Sequence, residues 1–273
     1  MTSARTPSSE NEEFWRHFLT RGSPKERRLR RFFNFLPTEP RCSMCAAPFG
    51  GAGAPLMRLI DRGMSDQSPK MCNHCFTFLA QHHGGAEIEC SFLFADVRGS
   101  TTLAEKMPSA EFRALLDRYY TTASKIVFAY DGGVDKFVGD ELVAMFFPLL
   151  SGEQHTARAV DAALALLGAV GHSDPHGPWL PIGAGVHTGP AWVGAVGEGP
   201  TTALTALGDT VNTTARLAAA AGPGEILVSA DAATAAGLDP TLERRSLSLK
   251  GRESPIDVVS LTTGSAVPAS RAE

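Results

Sequence analysis

No apolar run in the chain approaches the roughly 20 residues that a membrane-spanning helix needs. The nearest, Ala159–Val170, is interrupted by Asp161. An excess of charge is missing as well. Lysine and arginine number 25 against 29 aspartates and glutamates, a formal net charge of -4. That balance gives no bulk attraction to nucleic acid or to an anionic membrane. Met1–Glu13 is polar and acidic and lacks the apolar core of a signal peptide. These absences predict a cytoplasmic protein without disulfides, so its five cysteines need another role. What remains is ordinary for a globular chain: 273 residues, 43% hydrophobic and 20% charged. That length suits one large domain, or one domain and a small module.

The stretch Ser91–Thr101 organises the chain. Phe92 to Ala95 read as a short buried strand, closed by Asp96. Gly99 lets the backbone turn, and Ser100, Thr101 and Thr102 offer caps for a helix. A carboxylate at the end of a buried strand needs a cation or hydrogen bonds. A second acid, Asp140, stands 44 residues on, at Gly139-Asp140 between two apolar runs, which reads as a hairpin tip. Two such carboxylates, meeting across a sheet, would suit divalent cations.

The N-terminal part reads differently. Residues 1–10 are expected to be disordered, followed by helical patches at Asn11–Leu19 and Lys25–Phe35. Seven basic residues lie between Arg16 and Arg31, interleaved with apolar ones. A capping helix with a solvated basic face is the favoured reading, and peripheral contact with a membrane or partner the other. Cys42-Ser-Met-Cys45 and Cys72-Asn-His-Cys75 follow, 26 residues apart. Each pair turns two thiolates toward one ion, and four satisfy tetrahedral zinc. An iron–sulfur cluster takes the same four ligands. Phe76 to Ala80 would continue the second pair as a helix. His74, His82 and His83 read as surface histidines, and Cys90 as a small buried hydrophobe.

Gly84-Gly85 reads as a linker. The boundaries expected are 1–40 for a tail and basic helix, 41–85 for a Cys-rich metal module, 86–262 for the main domain and 263–273 for a disordered tail. The main domain reads as strand Glu87–Ala95, helices Leu103–Met107 and Phe112–Tyr130, strands Val134–Val138 and Leu142–Phe147, and helix His155–Val170. Strands Ile182–His187 and Trp192–Val196 follow, joined by a Thr188-Gly189-Pro190 turn. Helix Asp209–Ala221, strand Ile226–Ser229, helix Ala230–Ala236 and strands Leu242–Leu249 and Ile256–Leu261 complete it. The opening order is that of a ferredoxin-like α+β fold, an antiparallel-rich sheet with helices.

Four segments, in order, resemble a known family. They are Phe94-Ala-Asp-Val-Arg-Gly-Ser-Thr101, Asp135-Lys-Phe-Val-Gly-Asp-Glu141, Gly185-Val-His-Thr-Gly-Pro190 and Ala206-Leu-Gly-Asp-Thr-Val-Asn-Thr-Thr-Ala-Arg-Leu217. Together they are similar to the catalytic domain of class III nucleotidyl cyclases, over roughly Ile88–Leu261. The resemblance implies that Asp96 and Asp140, with the Val97 carbonyl, bind two Mg²⁺ or Mn²⁺. It implies that Lys136 and Thr205 read the base. Many relatives carry an aspartate where Thr205 stands; threonine keeps adenine as the implied base. Asn212 and Arg216, four residues apart on one helical face, match the pair that orients the ribose and neutralises the α-phosphate. Lys250 matches a residue that touches the terminal phosphates. Each residue alone has a plainer reading: Asp140 as a turn former, Asp96 at a helix start, Lys136 solvated, Arg216 in an ion pair. The matched set makes those readings improbable. Members of the family act as head-to-tail dimers, so a homodimer with ATP as substrate is implied. The expected activity is conversion of ATP to 3′,5′-cyclic AMP and pyrophosphate, regulated through the four-cysteine centre. The alternatives are a guanylate cyclase and a non-catalytic module that senses nucleotide or metal.

Overall fold

In the computed structural model, which describes residues 9–22, 24–36, 40–249 and 254–265, the elements follow in order. Four helices come first: α1 Ser9–Arg21, α2 Pro24–Phe35, α3 Ala54–Leu59 and α4 Asn73–Gln81. Then come β1 Gly84–Val97, α5 Ser100–Lys106, α6 Ser109–Ala129, β2 Gly133–Val138, β3 Glu141–Phe146, α7 Pro148–Ser151 and α8 His155–Ala169. The chain ends with β4 Ile182–Val196, β5 Ala203–Leu207, α9 Asp209–Ala220, β6 Ile226–Ser229, α10 Ala230–Ala235, β7 Arg244–Leu247 and β8 Ile256–Leu261. Among the described residues no helix is long and apolar enough to cross a membrane.

The chain divides into two compact units: Met1–Ile88 with Pro190–Gly208, and Glu89–Gly189 with Asp209–Glu273. In the first, α1 has Glu10 and Glu12 in its first turn and Arg21 in its last, in accord with the helix dipole. Trp15 and Leu19, one turn apart, are fully buried. Phe18 packs on Phe78 of α4 at 4.7 Å between ring centres. The Asn11 side-chain amide donates to the His83 carbonyl at 2.7 Å. On α2, Arg30 is buried and donates to the Met44 carbonyl, while Arg28 and Arg31 face solvent. This corrects two expectations. Ser9 and Glu10 open a helix, and Gly84 and Gly85 are the first residues of β1 rather than a linker. The expected tail at 263–273 falls mostly on residues outside those described.

The second unit holds the sheet, ordered β2-β3-β1-β4-β6-β8-β7. The first four strands with α6 and α8 reproduce the ferredoxin-like layout. Neighbours are antiparallel in the β2–β3, β1–β3, β6–β8 and β7–β8 pairs, and β4 runs parallel to β6. Strand alternation sets the two faces. Leu93, Ala95 and Val97 of β1, Leu142, Ala144 and Phe146 of β3, and Ile182, Ala184 and Val186 of β4 enter one core with α6, α8 and α10. On the other face Leu217 of α9 and Ala221 just past its end are buried with Leu227 of β6 and Val258 of β8. Ser91 begins the first face with a buried polar cluster: its hydroxyl lies 2.8 Å from His155 Nδ1 and 2.9 Å from the hydroxyls of Thr156 and Thr188.

The helix α9 sits directly on glycines. A Cβ at Gly185 would stand 2.5 Å from the Ala218 backbone nitrogen and 2.8 Å from the Thr214 carbonyl oxygen. Overpacking of this kind costs about 1–3 kcal/mol. We expect Gly185→Ala to lower the melting temperature by roughly 2–4 °C per kcal/mol lost, read by circular dichroism. An unchanged melting temperature would mean that α9 is not held against β4 here.

Candidate active site

The site grows out of the ends of β1 and β3. Because Leu93, Ala95 and Val97 enter the α6–α8 core, Asp96 points to the opposite face, the one α9 covers. It stands across from Glu141 in the β1–β3 register, and Asp140 precedes Glu141 in the tight β2–β3 turn. Gly139 takes the first corner of that turn with φ +61°, a conformation glycine adopts without strain. Three carboxylates are thus gathered at one edge.

Arg98 ties them to α9. Its guanidinium pairs with the Asp96 carboxylate and donates to the Ala219 and Ala221 carbonyls at 3.2 and 3.4 Å. Its Nε donates to the Asp96 carbonyl at 3.2 Å. The carboxylates still crowd one another. Burial raises the Asp96 pKa and Asp140 raises it further, and the opposing pull of Arg98 does not cancel this. Glu141 is pushed up to about 7, by burial first and then by Asp96 and Asp140. One guanidinium against three carboxylates leaves local charge near -2 when all are ionised. All-oxygen donors with that residual charge fit Mg²⁺ or Mn²⁺.

Two tyrosines fix the strand end and the turn. The Tyr119 hydroxyl is buried and donates to the Ala95 carbonyl at 2.9 Å. Tyr120 donates to the Gly139 carbonyl and stacks on Phe137 at 4.2 Å. The sequence alone assigns no role to Arg98, Tyr119, Tyr120 or Glu141. Arg98 and Glu141 lie inside the quoted motifs, and that adjacency was their signal. The tyrosines carried none beyond helical spacing.

The other expected residues are placed as follows. Lys136 of β2 pairs with Val143 of β3, which pairs with Phe94 of β1, so it shares the Asp96 face. Its ammonium lies 3.3 Å from the Asp135 carboxylate. Asn212 is exposed and Arg216 half-buried on α9, off the stripe that buries Thr210, Thr213, Thr214 and Leu217. Val97 ends β1 with its side chain in the core. Thr205 stands on β5 opposite Gly194 of β4, in the first unit, so the structure does not bring it into one unit with Lys136. Lys250 lies outside the described residues.

The cysteine pairs do converge. The sulfurs of Cys42, Cys45, Cys72 and Cys75 all lie within 4.8 Å of one another. Cys90 is apart from them, fully buried on β1, and burial pushes its thiol well above the usual range.

Comparison with known proteins matches this arrangement. The family model described as the adenylate and guanylate cyclase catalytic domain covers residues 85–259. Adenylate cyclase 1 of Rhizobium meliloti (strain 1021) is 35% identical over 145 residues, 50% of this chain and 22% of that protein. The guanylyl cyclase Cya2 superposes with a TM-score of 0.62 at 25% identity, covering 68% of this chain and 98% of that one. The adenylyl cyclase CyaB from P. aeruginosa gives 0.57 at 27% identity, over 64% and 94%. The matched segments span 22% and 34% of the first two curated relatives. The strand-end carboxylates, the ferredoxin-like sheet and the family match agree: this chain belongs to the adenylate and guanylate cyclase catalytic domain family.

Proposed function

We propose that the protein is an adenylate cyclase that converts ATP to 3′,5′-cyclic AMP and pyrophosphate as a homodimer. The observation that carries the reading is the meeting of Asp96 and Asp140 at adjoining strand ends, with Glu141 between them in the register. Asp96 and Asp140, with the Val97 carbonyl, would hold two Mg²⁺ or Mn²⁺. The ions, when bound, favour attack of the ribose 3′-hydroxyl on the α-phosphate and spread the charge of the leaving pyrophosphate. The protein's own part is positioning. Arg98 holds the Asp96 carboxylate in one orientation, and Tyr120 holds the turn that presents Asp140. Arg216 neutralises charge that grows on the α-phosphate oxygens, and Asn212 fixes the ribose by hydrogen bonding. Lys136 donates to adenine N1, and the Thr205 hydroxyl accepts from the exocyclic amine. Lys250 would pair with the terminal phosphates. In such a dimer Asp96 and Asp140 of one copy would meet Lys136, Thr205, Asn212 and Arg216 of the other. A twofold interface makes two equivalent sites at once.

Incubation of the purified protein with ATP and Mn²⁺ should yield cyclic AMP and pyrophosphate in equal amounts. Intact nucleotide would instead favour a sensing module that keeps the fold. The base assignment has its own test. The double substitution Lys136→Glu, Thr205→Cys presents an acceptor where guanine offers two donors. Preference should shift toward GTP, at a rate lower overall, because a site built for one hydrogen-bond pattern rejects the other by roughly 4 kcal/mol or more. Unchanged ATP preference at measurable turnover would overturn the pairing.

A further inference from the structure

The family match begins at residue 85, so it leaves the four cysteines unexplained. Their geometry discriminates between the two centres that the spacing allows. A metal–sulfur bond of 2.3 Å in a tetrahedron puts the sulfurs about 3.8 Å apart. Here Cys45 and Cys72 are 3.6 Å apart, and the full set falls within 4.8 Å. A cluster places several irons and bridging sulfides between its thiolates and forces them further apart. The spacing therefore suits a single ion. Cys42, Cys72 and Cys75 are buried, and four protein ligands leave no open position, the mark of a structural site. The two pairs are also knitted together by the backbone. The Ser43 amide donates to the Lys70 carbonyl at 2.9 Å, and the Cys72 amide lies 3.4 Å from Cys42 Sγ. His74 and His83 are exposed, and His82 stacks on Phe78, so none competes as a ligand. Arg62 lies beside the group and donates to Cys45.

The centre is continuous with the arm that carries Thr205. Cys72 is the N-cap of α4, its sulfur accepting from the Cys75 amide at 3.5 Å. The helix α4 packs on β5. The chain that leaves it reaches Gly84 and Gly85, and Gly85 lies against β4 with no room for a side chain. A Cβ at Gly85 would stand 2.4 Å from the Val193 carbonyl oxygen and 2.7 Å from Gly194 Cα. A Cβ at Gly194 would stand 2.3 Å from the Gly84 carbonyl oxygen and 2.5 Å from Gly85 Cα. Gly194 is the residue that pairs with Thr205. Two contacts thus link the thiolates to Thr205, one through the packed helix and one through backbone laid on backbone.

We propose that Cys42, Cys45, Cys72 and Cys75 hold one zinc ion, and that this ion fixes the β4–β5 arm through α4 and the Gly85–Gly194 contact. Loss of the ion frees the Cys72 sulfur that caps α4 and loosens the arm. The consequence for the nucleotide rests on the cyclase reading; the ion and the arm do not.

The test uses the full chain, purified without a metal-affinity tag. Elemental analysis should find about one zinc per chain in colourless protein. Iron in its place, or neither metal with four freely titrating thiols, would overturn the proposal. Hydrogen–deuterium exchange is then compared before and after zinc is withdrawn with a mercurial and a chelator. Peptides from 73–81 and 190–208 should exchange roughly tenfold faster, while β2 and β3 keep their protection. Unchanged exchange at 190–208 would overturn the coupling. Should the metal-free chain unfold throughout, Gly194→Ala answers the same question in the zinc-loaded state. It should keep its zinc, speed exchange at 190–208 and raise KM for ATP by roughly tenfold. Wild-type exchange at 190–208 in that variant would contradict the proposal. If zinc and coupled exchange were found in a protein that makes no cyclic nucleotide, the cyclase reading alone would fall.

Discussion

Asp140→Ala should lower turnover by roughly a thousandfold or more, several kcal/mol of transition-state stabilisation, while the fold stays intact or gains stability. The two effects diverge for a physical reason. The carboxylate stands at a turn whose sharp corner is made by Gly139 and whose position is held by Tyr120. No core contact depends on it. Its charge raises the pKa of both Asp96 and Glu141, so in the folded chain it acts against two neighbouring carboxylates. Alanine removes that repulsion and with it one of the two proposed metal-binding carboxylates. Sites built for binding store such unfavourable charge, and relieving it trades function for stability. Cyclic nucleotide formation and the melting temperature, measured on the same preparation, check both halves. Wild-type activity in the variant would show the metal assignment to be wrong. Lost activity with a fall of many degrees would make the carboxylate structural.

The second large effect is a recovery. Asp96→Ala and Arg216→Ala should each be inactive, because a homodimer of either lacks one essential group in both sites. In a mixed dimer one site carries both defects and the other carries neither, provided the two groups come from different chains. Equal mixing makes about half of all dimers mixed, each with one working site. Activity should therefore return to about a quarter of the wild-type value. Subunit exchange is followed separately with labelled chains. No recovery despite exchange would place Asp96 and Arg216 of one chain in one site.

Much of the second unit was legible because its signals are local. The run Phe92–Ala95 with a terminal acid, the Gly139-Asp140 tip and the boundaries of β6 and β8 follow from apolar alternation and turn chemistry. The break expected at Thr188-Gly189-Pro190 is absent, and β4 runs through it. Pro190 is exposed, where the strand needs no amide donor. Ala203–Leu207 has no strong strand preference in its sequence; pairing with β4 decides its state as β5. Gly84-Gly85 looked like a linker because the sequence does not distinguish a flexible glycine from one required by close packing. The roles of Arg98, Tyr119 and Tyr120 are tertiary. Each binds a carbonyl or carboxylate brought near by the fold, and none has a spacing that announces it. Asp96 and Asp140, the proposed metal ligands, stood out because strand end and turn tip each make an acid costly without a partner.

The most direct measurement offers the purified protein ATP and GTP together at equal concentration with Mn²⁺ and identifies the products by mass spectrometry. An adenylate cyclase built on Lys136 and Thr205 should give 3′,5′-cyclic AMP as the dominant product, with one pyrophosphate released per cyclic nucleotide. Dominant cyclic GMP would contradict the adenine assignment, and two intact triphosphates would contradict the account of this protein as an enzyme.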